Sequence, residues 1–431
     1  MKEAVNDDLN LAVSRLGECR ISSPMSGVHF VSDDEHVLYH SSLKEIEDFQ
    51  ARGKEPPSFE MAGPREKIHF DPAGLACGIV TCGGLCPGLN DVIRSIVLCL
   101  HYNYGVRTVY GFRHGYSGLV EKNGHGPVRL TLEMVEDIHQ KGGTILSSSR
   151  GAQDVSEMVD TLERMNLGIL FTIGGDGTLH GAREIASEIG RRNLDIAVVG
   201  VPKTIDNDIS YVQWSFGFDT AVSEARKAIY AAHTEAHGAR NGVGLVKLMG
   251  RNSGFVAAYA TLATSDVNFC LVPEVPFNLG ALLEALRKRL EKRGHAVVVA
   301  GEGAGQDLTG GTQDKDASGN VRLGDIGVFL KDRIKAYFRE AGIEMSLKYI
   351  DPSYMIRSVP ANAYDSALCL ILGHNAVHAG MTGLTNVVVG YWRGEFTHVP
   401  IPPAVSRRKR IDPDGGMWRN VLVTTGQPVD M

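Results

Sequence analysis

From Ala76 onward the chain alternates short β-branched apolar runs with amphipathic stretches, and most of the apolar runs end in a glycine-rich loop. Short runs of that composition suit strands buried on both faces, and the stretches between them suit helices laid over a parallel sheet. Strands are expected at 77–81, 106–110, 168–173 and 196–201 in a first half, then at 243–248, 269–272, 296–300 and 386–391. Helices are expected at 155–166, 218–237, 279–293, 326–341 and 361–379. The fold class that follows is α/β. Tyr211-Val212-Gln213-Trp214 is read as a crossover between the two halves, and 303–325, rich in glycine and charge, as a long surface loop. Residues up to about Asp71 show few strand-like runs and include the breaker run Gly53-Lys54-Glu55-Pro56-Pro57, so they are read as an appendage.

A chain of 431 residues has material for two or three domains. Its 43% hydrophobic and 22% charged residues are ordinary for a globular protein in water. The net charge of -6 argues against nucleic acid as the main partner, because such domains are usually basic. No apolar run approaches membrane-spanning length, and the acidic start Met1-Lys2-Glu3-Ala4-Val5-Asn6-Asp7-Asp8 lacks a signal-peptide core. A cytoplasmic protein without a membrane partner is expected. The seven cysteines are odd in number and scattered, which disfavours a disulfide framework. Cys82 and Cys86 find no second Cys/His pair to complete a zinc site, and His233 and His237, one helical turn apart, find no third ligand. The cysteines read as small loop residues and the histidines as a structural pair. The basic run Ser406-Arg407-Arg408-Lys409-Arg410 reads as a solvated face, with an anion or effector contact as the alternative.

The chemistry is concentrated where strands end. The run Ile196-Ala197-Val198-Val199-Gly200-Val201 leads into Pro202-Lys203-Thr204-Ile205-Asp206-Asn207-Asp208, which puts a cation, a hydroxyl and two carboxylates in one short loop. A capped turn explains such a loop on its own; acid/base or metal chemistry explains it in company. Its company is considerable. Thr81-Cys82-Gly83-Gly84-Leu85-Cys86-Pro87-Gly88-Leu89-Asn90 follows the first strand, and its glycines let backbone N–H groups turn toward an anion. Leu89-Asn90 stand where a Walker loop needs Lys-Ser/Thr, so this is a different phosphate loop. Gly174-Gly175-Asp176-Gly177-Thr178 precedes a helix containing Gly181, a place suited to magnesium beside a polyphosphate. Met249-Gly250-Arg251-Asn252-Ser253-Gly254 and Glu302 end two further strands, and Arg150 closes a glycine- and serine-rich loop.

In this order and at these separations, the stretches 81–90, 174–178, 202–208 and 249–254 resemble the phosphofructokinase family, over about residues 76–391. Gly-Gly-Asp-Gly-Thr alone is shared with NAD and diacylglycerol kinases, which lack the other three. The resemblance implies two doubly wound parallel-sheet domains with the active site in the cleft between them: a donor domain at 76–215 joined by part of 357–400, and a sugar-phosphate domain at 216–356. The extension 1–75 precedes them and a tail, 401–431, follows. It further implies transfer of a phosphoryl group from ATP to the 1-hydroxyl of fructose 6-phosphate, with Mg²⁺, in glycolysis. Asp206 matches the general base, Thr204 a hydroxyl on the transferred group, Arg251 an arginine on the transferring charge and Asp176 the magnesium-associated carboxylate. Gly83, Tyr116, Arg150, Gly177, Thr178, Gly181 and Lys203 match donor positions; Asp208, Met249, Gly250, Glu302, Lys348, Tyr354 and Arg357 match the sugar-phosphate side. A homo-oligomer, dimer or tetramer, is implied as well.

Two positions bear on the donor. Diphosphate-using relatives carry aspartate in place of Gly177, whose carboxylate would crowd and repel an α-phosphate, and they carry lysine as at Lys203. Gly177 is weighted more heavily, and the pairing resembles the long ATP-dependent branch of plants and trypanosomatids. Diphosphate-dependent transfer stays open, as do sedoheptulose 7-phosphate as a second acceptor, a non-catalytic regulatory subunit, and a nucleotide-binding module outside sugar metabolism.

Overall fold

The computed structural model describes residues 9–310, 314 and 321–431. The acidic start and the middle of the expected 303–325 loop lie outside the described residues. Among those described, nine strands make one mixed sheet, in the spatial order His36–Leu38, Ser58–Met61, Glu395–Pro400, Val387–Trp392, Ala197–Pro202, Leu167–Gly174, Ala76–Thr81, Thr108–Phe112, Val128–Arg129. The middle of the sheet, from Val387–Trp392 to Thr108–Phe112, is parallel, and its flanks are antiparallel. A second, all-parallel sheet holds Phe269–Leu271, His295–Gly301, Gly242–Leu248 and Ser346–Ile350 in that order.

Successive side chains of a strand point to opposite faces, and here both faces are buried. Ile169, Phe171, Ile173, Val199 and Val201 join a core with helices Leu89–Tyr104 and Ala363–Met381, whereas Leu170 and Val198 join another with helices Val155–Arg164 and Asp176–Arg191. The smaller sheet repeats the pattern. Val246, Leu248, Val297 and Val299 face helices Phe218–His237 and Phe255–Thr264, while Val243, Leu245, Ala296 and Val298 face Leu279–Arg293 and Ile326–Glu340. Helices on both faces of each sheet are the doubly wound arrangement. The helix ends are set locally: Asn278 accepts from the Ala281 N–H at 3.0 Å, Lys292 and Arg293 fill the last turn of Leu279–Arg293, and Gly294 ends it in the left-handed region.

Two differences from the sequence expectations have physical reasons. The strand expected at 106–110 runs Thr108–Phe112, because Gly105 at φ 76 caps the preceding helix and the Val106 N–H returns to Leu100 at 2.9 Å. The segment before Asp71 is not the strand-poor appendage expected. Ser58–Met61 pairs with Glu395–Pro400 and His36–Leu38 with Ser58–Met61, fastened by fully buried Phe59 among Tyr39, Tyr211 and Trp392. These strands are only three and four residues long, and a buried charge, Glu60, follows Phe59, so hydrophobic periodicity hardly marks them. No described helix is long and apolar enough to cross a membrane.

Candidate active site

Parallel strands deliver their carboxyl ends to one edge, so the loops after Ala76–Thr81, Leu167–Gly174 and Ala197–Pro202 meet there, facing those after Gly242–Leu248 and His295–Gly301. Between them lies a cavity of about 610 Å³. Its lining includes Gly83, Tyr116, Arg150, Asp176, Gly177, Thr178, Gly181, Lys203, Thr204, Asp206, Asp208, Met249, Arg251, Glu302 and Arg357. Gly250 supports this lining from behind: its φ of +131 is open only to glycine, and a Cβ would sit 2.5 Å from the Ser253 carbonyl. Lys348 lies half-exposed, 3.8 Å from Glu235, and Tyr354 is 84% exposed; neither lines the cavity.

The aspartate loop is held by its own polar groups. Thr204 Oγ1 donates to Asp208 at 3.0 Å and accepts from the Asp206 N–H at 3.1 Å, Asn207 enters the left-handed region at φ 51, and Ser253 Oγ donates to the Asp206 carbonyl at 3.2 Å. This leaves Asp206 Oδ1 buried without a partner. Burial, then the neighbouring Asp208 and Glu302 carboxylates, push the Asp206 carboxyl up to about 8, with Arg357 and Arg408 opposing. A buried carboxyl of raised proton affinity, lining a cavity with a hydrogen bond unmade, is suited to exchange a proton with a group that enters the cavity.

Opposite it stands positive charge. Lys203 Nζ donates to the Gly84 carbonyl at 2.8 Å, and the space beside Gly84 is bounded by Arg150 and Arg357. Burial pulls the Lys203 ammonium down, and the two guanidiniums add to that pull. The Gly83 N–H is spent on the Ser149 carbonyl at 3.0 Å, so at this position the loop offers an anion neighbouring side-chain charge rather than the backbone N–H that the sequence led one to expect. Tyr116 packs on Gly181 and donates its hydroxyl to the Thr178 carbonyl at 2.6 Å, fixing the start of helix Asp176–Arg191. A methyl at 181 would stand 2.6 Å from the Tyr116 ring, so Gly181→Ala is expected to cost about 1–3 kcal/mol of stability, read as a lowered urea midpoint. An unchanged midpoint would show that the ring moves freely.

Sequence reading missed several residues of the site: His180 and Glu184 line the cavity, and so does Arg408, the most consequential of them. Arg408, expected on a solvated basic face, lines the cavity and donates to Asp176 and Asp208, each at 2.9 Å. That expectation is corrected: Arg408 and Lys409 are partly buried, and the Lys409 ammonium donates to the Val212 and Gln213 carbonyls at 2.8 and 3.0 Å. Nothing in a run of basic residues says which of them turns inward. The His233–His237 pair gains a neighbour, His295, with ring centroids 5.4 and 5.0 Å away, although no set of three His, Cys, Asp or Glu among the described residues is placed to hold a metal ion. All seven cysteines are free.

Residues 76–380 match the profile of the family described as Phosphofructokinase. The chain is 49% identical over 443 residues to the ATP-dependent 6-phosphofructokinase of Borreliella burgdorferi, covering 99% of this chain and 98% of that protein. With the ATP-dependent 6-phosphofructokinase of Trypanosoma cruzi it shares 45% over 441 residues, 100% and 90% of the two chains. Among solved structures, the pyrophosphate-dependent phosphofructokinase of Marinobacter aquaeolei superposes with a TM-score of 0.67 at 19% identity, covering 81% and 91%, a likeness of fold. On the family match and on identity over nearly its whole length, the chain belongs to the phosphofructokinase family.

Proposed function

We propose that the protein is an ATP-dependent 6-phosphofructokinase, transferring the terminal phosphoryl group of ATP to the 1-hydroxyl of fructose 6-phosphate in glycolysis. The observation that carries the site assignment is the buried, unpartnered Asp206 oxygen facing a cavity lined by Lys203, Arg150, Arg251 and Arg357. In this reading the proton of the 1-hydroxyl passes to Asp206 as the sugar oxygen bonds to the phosphorus and the bond to ADP breaks. Thr204 and Arg251 meet the transferring group, Lys203 and Arg150 the donor phosphates, and Glu302 and Arg357 the sugar phosphate. Positioned charge of this kind is most of what phosphoryl transfer asks of a protein. Lys348 and Tyr354 remain candidates for the sugar phosphate on the resemblance alone.

Magnesium fits the same picture. Such ions are held by one or two carboxylates together with substrate phosphates, and Asp176, at the start of a helix and lining the cavity, offers that single carboxylate. When bound, the ion would neutralise charge on the donor phosphates. Seven unpaired cysteines favour a reducing, cytoplasmic setting, and exposed Tyr354 and Met355, adjacent on helix Ser353–Ser358, offer apolar surface for a homo-oligomer.

The deciding measurement is the initial rate of fructose 1,6-bisphosphate formation with ATP and with diphosphate in parallel. A rate with ATP alone is expected; a rate with diphosphate alone overturns the donor assignment. The raised Asp206 carboxyl adds a pH prediction. A base acts only when ionised, so kcat/KM for fructose 6-phosphate is expected to fall about tenfold per pH unit below about 8. A profile flat from about pH 6 to 9 would remove Asp206 as the base.

A further inference from the structure

Residues after Ala404 run back beside the cavity, which Arg408 lines, as a strap. Ile209 and Arg408 form an antiparallel bridge, Ser210 Oγ donates to the Arg407 carbonyl at 2.9 Å, and the Lys409 N–H donates to the Asp208 carbonyl at 2.9 Å. Beyond them the Ile411 N–H donates to Glu274 at 2.9 Å, and the Glu274 carboxylate accepts from the Gly254 N–H at 3.0 Å. The strap therefore joins the aspartate loop to the loop that carries Arg251. Its backbone is fixed on both sides, which leaves the Arg408 side chain as its adjustable part.

That side chain forks between two carboxylates, Nη1 to Asp208 and Nη2 to Asp176, both at 2.9 Å. A planar guanidinium suits such a bridge, and each bond is charge-assisted. The two partners differ in what release would cost. The Asp208 side chain is 4% exposed and would be left as a buried charge; that of Asp176 is 21% exposed, with His180 at 3.8 Å and solvent to receive it. Release therefore favours Asp176.

We propose that Arg408 is the resident counter-ion of the donor site: it holds the Asp176 and Asp208 carboxylates before the donor arrives, gives up Asp176 to the incoming magnesium–nucleotide, and keeps Asp208 in place. The proposal rests on the phosphoryl-transfer reading of the same cavity. Arg408 competes with the cation for one carboxylate and orients the other, so its loss has two opposed effects. Cation affinity rises because a competitor is gone, and turnover falls because Asp208, and through Thr204 the aspartate loop, loses its anchor.

The test uses the full chain with a non-hydrolysable ATP analogue and no sugar, and follows binding of its Mn²⁺ complex by electron paramagnetic resonance for the wild type and Arg408→Met. Affinity is expected to rise about tenfold or more in the variant, the scale of one lost charge-assisted bond. In the assay, kcat and the half-saturating Mg²⁺ concentration are expected to fall together, whereas a strap that was only structural would lower kcat without tightening the metal. Unchanged or weaker Mn²⁺ binding in the folded variant overturns the proposal. If Arg408→Met does not fold, Arg408→Lys serves, since it keeps the charge but reaches one carboxylate at a time. Tighter Mn²⁺ binding than wild type supports the proposal and equal binding overturns it. If the wild type turns over neither ATP nor diphosphate, tighter Mn²⁺ binding in the variant would uphold Arg408 and sink the phosphoryl-transfer reading instead.

Discussion

Asp206→Ser is expected to lower turnover by a factor on the order of 10²–10⁴, the range for loss of a general base, with KM for fructose 6-phosphate little changed. The split follows from geometry. Asp206 Oδ1 has no partner in the free protein, so what it contributes is made only as the hydroxyl proton moves. The groups proposed to hold the sugar phosphate, Glu302 and Arg357, lie on other elements, so the substitution leaves their positions in place and changes only the charge beside them. The same variant should be more thermally stable than wild type near pH 8. The folded-state carboxyl is raised to about 8, so the protein keeps a proton there that the unfolded chain has already lost. Its stabilising contribution, complete at acid pH, drains away as pH rises from the ordinary carboxylate range through about 8. Serine has no such slope, and the gap in unfolding temperature is expected to widen with pH across that window. Near-normal turnover, or a stability difference independent of pH, would take the base role from Asp206.

How much of this was legible in the chain depends on what each residue's surroundings are made of. The central strands and their covering helices declared themselves because a strand buried on both faces must be almost wholly apolar, as 169–171 and 197–201 are. The loops after them could be read as phosphate and metal chemistry because glycine, lysine and aspartate at strand ends serve one local purpose. Ser346–Ile350 escaped notice because it lies at a sheet edge, with no residue fully buried and Lys348 pointing outward. Arg408 escaped for a different reason. Its partners stand 200 and 232 residues earlier, and only the folded strap brings them within 2.9 Å. Local signals specify loops; long-range partners require the fold. The Asp206 environment lies between these cases, since Asp208 is close in sequence while Glu302 and the burial that raises its carboxyl come from tertiary packing.

Gly177→Asp is the second large effect expected, and it isolates the choice of donor. Position 177 is the second residue of helix Asp176–Arg191, exposed to the cavity, and a Cβ there meets nothing within 4 Å. An added carboxylate in the first turn also suits the helix dipole, by about 0.3–1 kcal/mol, so the variant should fold as well as the wild type. What changes is the field in the cavity. A second negative group beside Asp176 opposes the α-phosphate of ATP, and like charges forced together in a binding site cost several kcal/mol, a factor of roughly 10²–10³ in kcat/KM for ATP. Diphosphate has no α-phosphate to exclude, and Lys203, fixed on the Gly84 carbonyl, still supplies its cation. The rate with ATP should therefore fall by that factor while any rate with diphosphate does not fall with it, and thermal unfolding stays where it was. If ATP turnover survives the substitution in a folded protein, the carboxylate does not reach the donor. The preference for ATP must then be set by the shape of the cavity around Tyr116 and Gly181 rather than by charge at 177.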